Sequence, residues 1–318
     1  SSFNVGRETD LYFNQTAGGA DVANWIALNR VTDPGLAPSR ILGSIRAEGQ
    51  VYIINRNGII FGGSGQVNVH TLIASSLSLD NDQFMSGINV QRKINSGADN
   101  FYGLPTFGDH ATEAPNKWVS LTHAAQVAPA PIGDPPADVI VEAGALIDTQ
   151  TGGKAMLFAP HVANAGIIRA PDGQVILAAG EQVWLLPPKS VYANPLRGFD
   201  VAVSAASPYL LEYSQAANVV TEGAVTSAFH IAVQTILLPA MNQRAAAVGY
   251  KAVNTGVVEA ELGNITVQAR EVVQNGALYA STALGNRDGS IVLRAWGQGL
   301  AAFYTADETW NNVLYSWS

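Results

Sequence analysis

Short segments in which apolar and polar positions alternate recur along the chain, each directly after a glycine. A period of two is typical of a β-strand whose two faces have different surroundings. In the segment 264–269 we expect Ile265, Val267 and Ala269 to point inward, and the polar residues between them to point outward. Segments of this kind follow Gly153, Gly173, Gly263 and Gly289.

A second repeated unit combines asparagine, glycine and two apolar residues, and it alternates with the first. Gly153 and Gly173 are 20 residues apart, and so are Gly256 and Gly276. Because Asn and Gly tolerate positive φ at little cost, we interpret these units as the corners of a repeating coil. The expected corner residues are Asn164, Gly166, Asn254, Gly256, Asn275 and Gly276, with the third copy read as one residue shorter.

The fixed period predicts an all-β fold, a right-handed parallel β-helix (solenoid) with extra-helical loops. One coil of short strands cannot bury its own inner face, but coils stacked about 4.8 Å apart form a continuous apolar core. The alternative is an antiparallel sandwich with hairpin turns.

The pattern divides the chain into four parts. Residues 1–92 read as strands and turns, and residues 93–138 form a Pro/Gly-rich extra-helical loop. Coils continue over 139–295, with an insertion around 187–250 that contains a short helix near 241–248. The last part, 296–318, is an aromatic cap or tail; its candidate capping or glycan-stacking residues are Trp296, Tyr304, Trp310 and Trp317.

Composition narrows the possible functions. The net charge of −8 argues against nucleic acid, which requires a basic face. The absence of cysteine excludes disulfides, thiolate zinc sites and a cysteine nucleophile. No apolar run approaches the roughly 20 residues of a membrane-spanning helix, and no signal peptide is visible.

The N-terminal part contains a series of motifs in a fixed order. They read SSFNVG at 1–6, FNQ at 13–15, ALNRV at 27–31, PSRILG at 38–43 and GQVYIINRNGIIFG at 49–62. In order and spacing these motifs resemble the N-terminal secretion domain of two-partner secretion exoproteins, the filamentous haemagglutinin family. Arg56 stands where the family has proline, which would relax the turn. Strands that precede SSFN in the family are missing, so we expect a truncated N-terminus.

The resemblance implies a protein secreted to the surface of a Gram-negative bacterium through an Omp85-type outer-membrane transporter. The expected product is an adhesin or structural fibre that binds a receptor on host cells, glycans or bacteria. A second hypothesis is a self-assembling filament or matrix subunit whose copies associate end to end. We expect the turn formed by Asn55, Arg56, Asn57, Gly58 and Ile59 to matter for secretion, either by setting the register of the first coils or by contacting the transporter.

A third hypothesis is a β-helical polysaccharide lyase or hydrolase. Such enzymes need clustered carboxylates, whereas the acidic residues here are scattered along the sequence. The five histidines lack zinc-site spacing, and Asp80-Asn81-Asp82 lacks the continuation of a calcium loop. We therefore expect a protein without catalytic residues, metal or cofactor.

Overall fold

The structure is a computed structural model. It describes residues 2–32, 35–79, 84–85, 92–96, 99–103, 106–107, 137–180, 182–186, 198–204, 248–280, 289–295, 303–304 and 312–313.

The described chain winds through three faces of a parallel β-helix, and each strand pairs with the strand one coil before and after it. Face 1 contains β3 (Ser39–Ile41), β6 (Ile59–Phe61), β11 (Val139–Val141), β13 (His161–Asn164), β18 (Lys251–Asn254) and β21 (Glu271–Gln274). Face 2 contains β1 (Asp10–Phe13), β4 (Ser44–Ala47), the first parts of β7 (Gln66–Ser75) and β12 (Leu146–Ala159), β14 (Ile167–Arg169), β19 (Val257–Glu259) and β22 (Ala277–Tyr279). Face 3 contains β2 (Ile26–Val31), β5 (Gln50–Asn55), the second parts of β7 and β12, β15 (Gln174–Ala179), β20 (Asn264–Ala269) and β23 (Ser290–Ala295).

All pairings along these three faces are parallel, as the repeat predicted. Their register is continuous except in β12, where the pairing with β7 shifts between Thr149 and Lys154. The antiparallel sandwich is therefore wrong for the coils. Antiparallel pairs occur outside them, in β8 (Arg92–Ser96) with β9 (Asp99–Gly103), in β10 (Thr106–Phe107) with β16 (Gln182–Leu186) and β17 (Asp200–Ser204), and in β24 (Phe303–Tyr304) with β25 (Asn312–Val313). The expected loop 93–138 thus contains strands.

The interior of the helix is a continuous column of aliphatic side chains. Ile265, Val267 and Ala269 are fully buried in it, as the alternation predicted. A different column, of polar side chains, begins at Gln50 and runs along the start of the later strands of face 3, through Thr71, Lys154, Gln174, Asn264 and Ser290. Stacking places like residues above one another, so each coil with a neighbour on both sides buries apolar surface against the two of them.

A second apolar cluster covers the outer side of face 3. Val183 and Leu185 of β16, with Val201 and Val203 of β17, pack on outward side chains such as Phe158. The face 3 strands β5, β15 and β20 are buried on both sides, and even Gln268, which we expected to point outward into solvent, is only 2% exposed. The alternation in the sequence correctly distinguished the side chains that face the interior from those that face outward. The antiparallel sheet, however, shields the outward side chains of face 3 from solvent.

The first coil is closed by irregular structure. A 3-10 helix, η1 (Thr16–Asn24), connects β1 to β2, and Gly19 breaks it with a φ of 55°. The buried side chain of Gln15 accepts a hydrogen bond from the Gly49 amide (2.8 Å) and donates one to the Trp25 carbonyl (3.1 Å). These bonds fix the entry of the chain into β2 and β5.

Candidate functional site

The corner between β5 and β6 is a tight turn built around a buried asparagine. Asn55 ends β5 and is 1% exposed. Its carbonyl accepts the Gly58 amide at 2.9 Å, and its Oδ1 accepts the Asn57 amide at 3.0 Å. Its Nδ2 donates to Ser39 Oγ at 3.0 Å, in the preceding coil. The side chain therefore closes the turn from inside and ties it to the coil below.

The next coil lies directly on this turn. The Ala137 amide donates to the Arg56 carbonyl at 2.9 Å, and the Ile59 amide donates to the Asp138 carbonyl at 3.1 Å. Gly58 has a φ of 98°, and a Cβ at this position would lie 2.8 Å from the Asp138 carbonyl oxygen. Glycine is required here both for its backbone conformation and for the close approach of the neighbouring coil.

The corners after β13, β18 and β21 share a ladder of side-chain amides, of which Asn164 and Asn254 are buried and Gln274 is half-buried. Asn164 Nδ2 donates to Asn254 Oδ1 at 2.8 Å, and Asn254 Nδ2 donates to Gln274 Oε1 at 3.2 Å. The register aligns Asn254 with Gln274, so the exposed Asn275 lies one residue beyond the ladder. The third copy of the repeat is therefore not shorter; a glutamine replaces its asparagine.

Close stacking explains the corner glycines. Gly166, Gly256 and Gly276 do not have positive φ. Tolerance of positive φ was our reason for expecting glycine at these corners, so that reason is wrong for these three. A Cβ at Gly256 would overlap the Gly166 carbonyl oxygen, and a Cβ at Gly276 would overlap that of Gly256. The stacking distance between coils, rather than the backbone conformation, selects glycine here.

A glutamine that the sequence pattern did not single out attaches the antiparallel sheet to the helix. Gln174 is 1% exposed; its Nε2 donates to the Phe199 carbonyl at 2.7 Å and its Oε1 accepts the Phe199 amide at 2.8 Å. Phe199 also covers the ammonium group of Lys154, whose Nζ lies 5.9 Å from the ring centroid. Burial lowers the pKa of Lys154. The sequence signal that could have identified Gln174 is a glutamine directly after a corner glycine, a pattern that also occurs at Gln50.

Charged side chains form pairs between coils on the outer surface. Arg169 Nε contacts Glu259 Oε2 at 2.7 Å on face 2, and Lys251 Nζ contacts Glu271 Oε1 at 2.7 Å on face 1. Within the described residues no group of three or more His, Asp or Glu side chains could hold a metal ion. In the same part of the chain, no helix is long and apolar enough to cross a membrane.

A family model described as "TPS secretion domain" matches residues 1–100. Residues 1–100 are thus similar to a TPS secretion domain. This segment includes the β5–β6 corner and the coils that precede β11, and the match confirms the two-partner secretion resemblance. TPS domain proteins are secreted exoproteins of Gram-negative bacteria, in agreement with the expected localisation.

Two further comparisons agree with the TPS secretion domain. The chain is 37% identical over 79 residues to the heme/hemopexin-binding protein of Haemophilus influenzae, which is 25% of this chain and 8% of that protein. The crystal structure of the HMW1 secretion domain from Haemophilus influenzae matches with a TM-score of 0.55 at 21% identity, over 92% of this chain and 53% of that one. This second likeness concerns the fold, a parallel β-helix. The chain therefore spans only part of each relative.

The sequence pattern singled out four aromatic residues near residue 318 as a cap or glycan platform. Trp296, Trp310 and Trp317 lie outside the described residues. Tyr304 ends β24 and pairs with Asn312 of β25 in an antiparallel bridge. Their role as a cap or glycan platform stays a prediction.

Proposed function

We propose that this chain is the secretion domain and first coils of an exoprotein exported through an Omp85-type transporter, which then acts as a surface adhesin or structural fibre. The match of residues 1–100 to the TPS secretion domain carries the proposal. The name of the Haemophilus influenzae relative describes binding of heme and hemopexin by that protein, and the shared 8% of its length is too little to extend this ligand here.

The β-helix supports a physical account of export without ATP at the outer membrane. Each emerging coil finds an edge of unpaired backbone groups on the coil before it and buries aliphatic side chains when it docks. Folding free energy is thus released in small steps along the direction of export. The first coils must supply a template with a fixed register, because a shift by one residue would turn the inward side chains outward.

In this account the β5–β6 corner sets the register, the first of the two roles considered for it. Asn55 is too deeply buried to contact a partner in the folded state, and its hydrogen bonds go to the coil below and to its own turn. In the coil above, the Ala137 amide donates to the Arg56 carbonyl, and the Asp138 carbonyl accepts the Ile59 amide. The corner is thereby the platform on which the chain resumes stacking after residues 108–136.

A secretion experiment with a matched glycine tests this role. Gly58→Val should reduce secretion of the full-length exoprotein at least several-fold with its transporter present, while intracellular expression stays unchanged, because the new side chain meets the Asp138 carbonyl. Gly152→Val is the control, since Gly152 also has positive φ (80°) but nothing lies within 4 Å of the position that a Cβ would take there. Equal secretion of the two variants would contradict the register role.

Binding experiments test the adhesive role in the proposal. The secreted wild-type protein should bind host cells, isolated glycans or other bacteria, measured by flow cytometry and glycan arrays, and without depolymerising them. Loss of secretion when the transporter gene is deleted tests the export partner separately from the adhesive role.

A filament subunit is the second candidate, because interior positions of β23 are solvent-exposed. Ile291 and Leu293 are 45% and 47% exposed although they align with the buried Ile265 and Val267. Such a surface could seat a coil from another copy. Sedimentation of the purified protein as polymers, abolished by Leu293→Lys, would favour this candidate, and a monomer at all concentrations would exclude it.

A further inference from the structure

A single histidine connects three successive coils on face 1. His161 begins β13; its Nδ1 lies 3.0 Å from Asp138 Oδ1 and its Nε2 lies 2.9 Å from the Val248 carbonyl oxygen. Asp138 directly precedes β11, and Val248 lies shortly before β18. Asp138 and Val248 are 23 and 87 positions from His161 in sequence, but stacking brings the three residues together.

The chemistry of the two contacts defines the charge state of the ring. A carboxylate and a backbone carbonyl are both acceptors, so both ring nitrogens must donate for both bonds to form. Neutral imidazole has one N–H donor, whereas the imidazolium ion has two. Both bonds are therefore satisfied together only by protonated His161.

The contacts of His161 lie where the chain returns to the β-helix after two long segments. Asp138 is among the first described residues after 108–136, and Val248 is the first after 205–247. The His161 ring thus joins its own coil to the two points at which the chain re-enters the β-helix. Register is continued at the same places by backbone bonds, from the Ile59 amide to Asp138 and from the Lys251 amide to Pro160.

The surrounding charges favour the proton. The hydrogen bond to Asp138 raises the pKa of His161 above its ordinary value, and the charge of Asp138 and the Val248 carbonyl act in the same direction. Partial burial and the neighbouring Lys251 oppose this shift. Lys251 is itself paired with Glu271, the next charged group along the column. The carboxylate below His161 therefore prevails over the ammonium group above it.

We propose that His161 is a pH-responsive clasp that fastens the two re-entry points to the β-helix while its ring is doubly protonated. Loss of one proton leaves one donor for two acceptors, so either Asp138 or Val248 is released. The proposal does not depend on how the protein is exported or what it binds.

The sign of the effect follows from the direction of the shift. Because the folded state holds the proton more tightly than the unfolded chain, the stabilisation is complete below the ordinary histidine pKa of about 6.5 and is lost as the pH rises through the folded-state pKa. His70 has the opposite sign: burial, with a smaller contribution from Lys154, lowers its pKa. A global melting curve would superimpose the two effects, so the test must be local.

Amide hydrogen exchange and histidine NMR on the full chain provide that local test. The protection factor of the Lys251 amide should fall about fivefold to tenfold between pH 5.5 and pH 8.5 in the wild type, as expected for losing one hydrogen bond of ordinary net strength. It should not change with pH in His161→Gln, and the wild-type fall should persist in His70→Gln. A pH-independent protection factor in the wild type, or an equal fall in His161→Gln, would overturn the clasp.

A milder variant keeps the proposal testable if His161→Gln does not fold. Asp138→Asn retains the shape of the side chain and removes its charge, so the NMR-measured pKa of His161 should move from above 6.5 back toward about 6.5. Glu259→Gln, which removes the same charge from the Arg169 pair on face 2, should leave the pKa of His161 unchanged. A wild-type His161 pKa at or below 6.5 would also contradict the proposal.

Discussion

Replacing Asn254 by alanine should destabilise the β-helix more than any exposed asparagine substitution at the same corner. Asn254 is fully buried, accepts a hydrogen bond from Asn164 and donates one to Gln274. Alanine removes both bonds and leaves the buried donor of Asn164 and the half-buried acceptor of Gln274 with one partner fewer. At about 1–2 kcal/mol for each lost bond and its unsatisfied group, the free energy of unfolding should fall by about 2–4 kcal/mol.

The matched control is Asn275→Ala, in the next coil. Asn275 belongs to the same corner unit but is exposed and outside the amide ladder, so its replacement should change the free energy of unfolding by less than about 0.5 kcal/mol. Urea unfolding followed by circular dichroism measures both variants, and exchange of the Gly166 amide, which donates to Asn164 Oδ1, reports the ladder locally. Equal destabilisation by the two substitutions would refute the register that places Gln274 in the ladder.

Two further substitutions probe other contacts between stacked elements. Gly256→Ala should lower the free energy of unfolding by about 1–3 kcal/mol, because the methyl group overlaps the Gly166 carbonyl oxygen and forces the coils apart; unchanged urea unfolding would show that the coils can separate freely. Gln174→Ala should release the Phe199 backbone from face 3 and raise exchange of the Phe199 amide at least tenfold, measured by NMR, while the amide of Ile265 keeps its protection.

The sequence predicted the coils well because their physical cause is local. Alternation placed Ile265 and Val267 inside, and the repeated glycine marked each corner of the stack. The cause assigned to glycine was incomplete, however: Gly58 has positive φ, whereas Gly256 is required by the carbonyl of the coil below. A stacking distance depends on two coils at once and leaves no signal within one of them.

Contacts across the long interruptions could not be predicted from the sequence. The repeat aligned Asn164 with Asn254, but nothing in the pattern joined His161 to Asp138 and Val248. The glutamine in the ladder, Gln274, was missed because asparagine was taken as the required residue, although the longer amide reaches the same neighbour. Spatial pairing of single side chains across 23 or 87 residues requires the register itself.

The two re-entry points have a practical consequence for protein engineering. At each of them the chain is held by backbone hydrogen bonds of the flanking residues, from Ala137 to Arg56 and from Lys251 to Pro160. Doubling the length of a connecting segment costs only about 0.6 kcal/mol in closure entropy, which these flanking bonds and the buried coils can absorb. Foreign segments inserted between residues 107 and 137, or between 204 and 248, should therefore leave the register of the flanking strands unchanged.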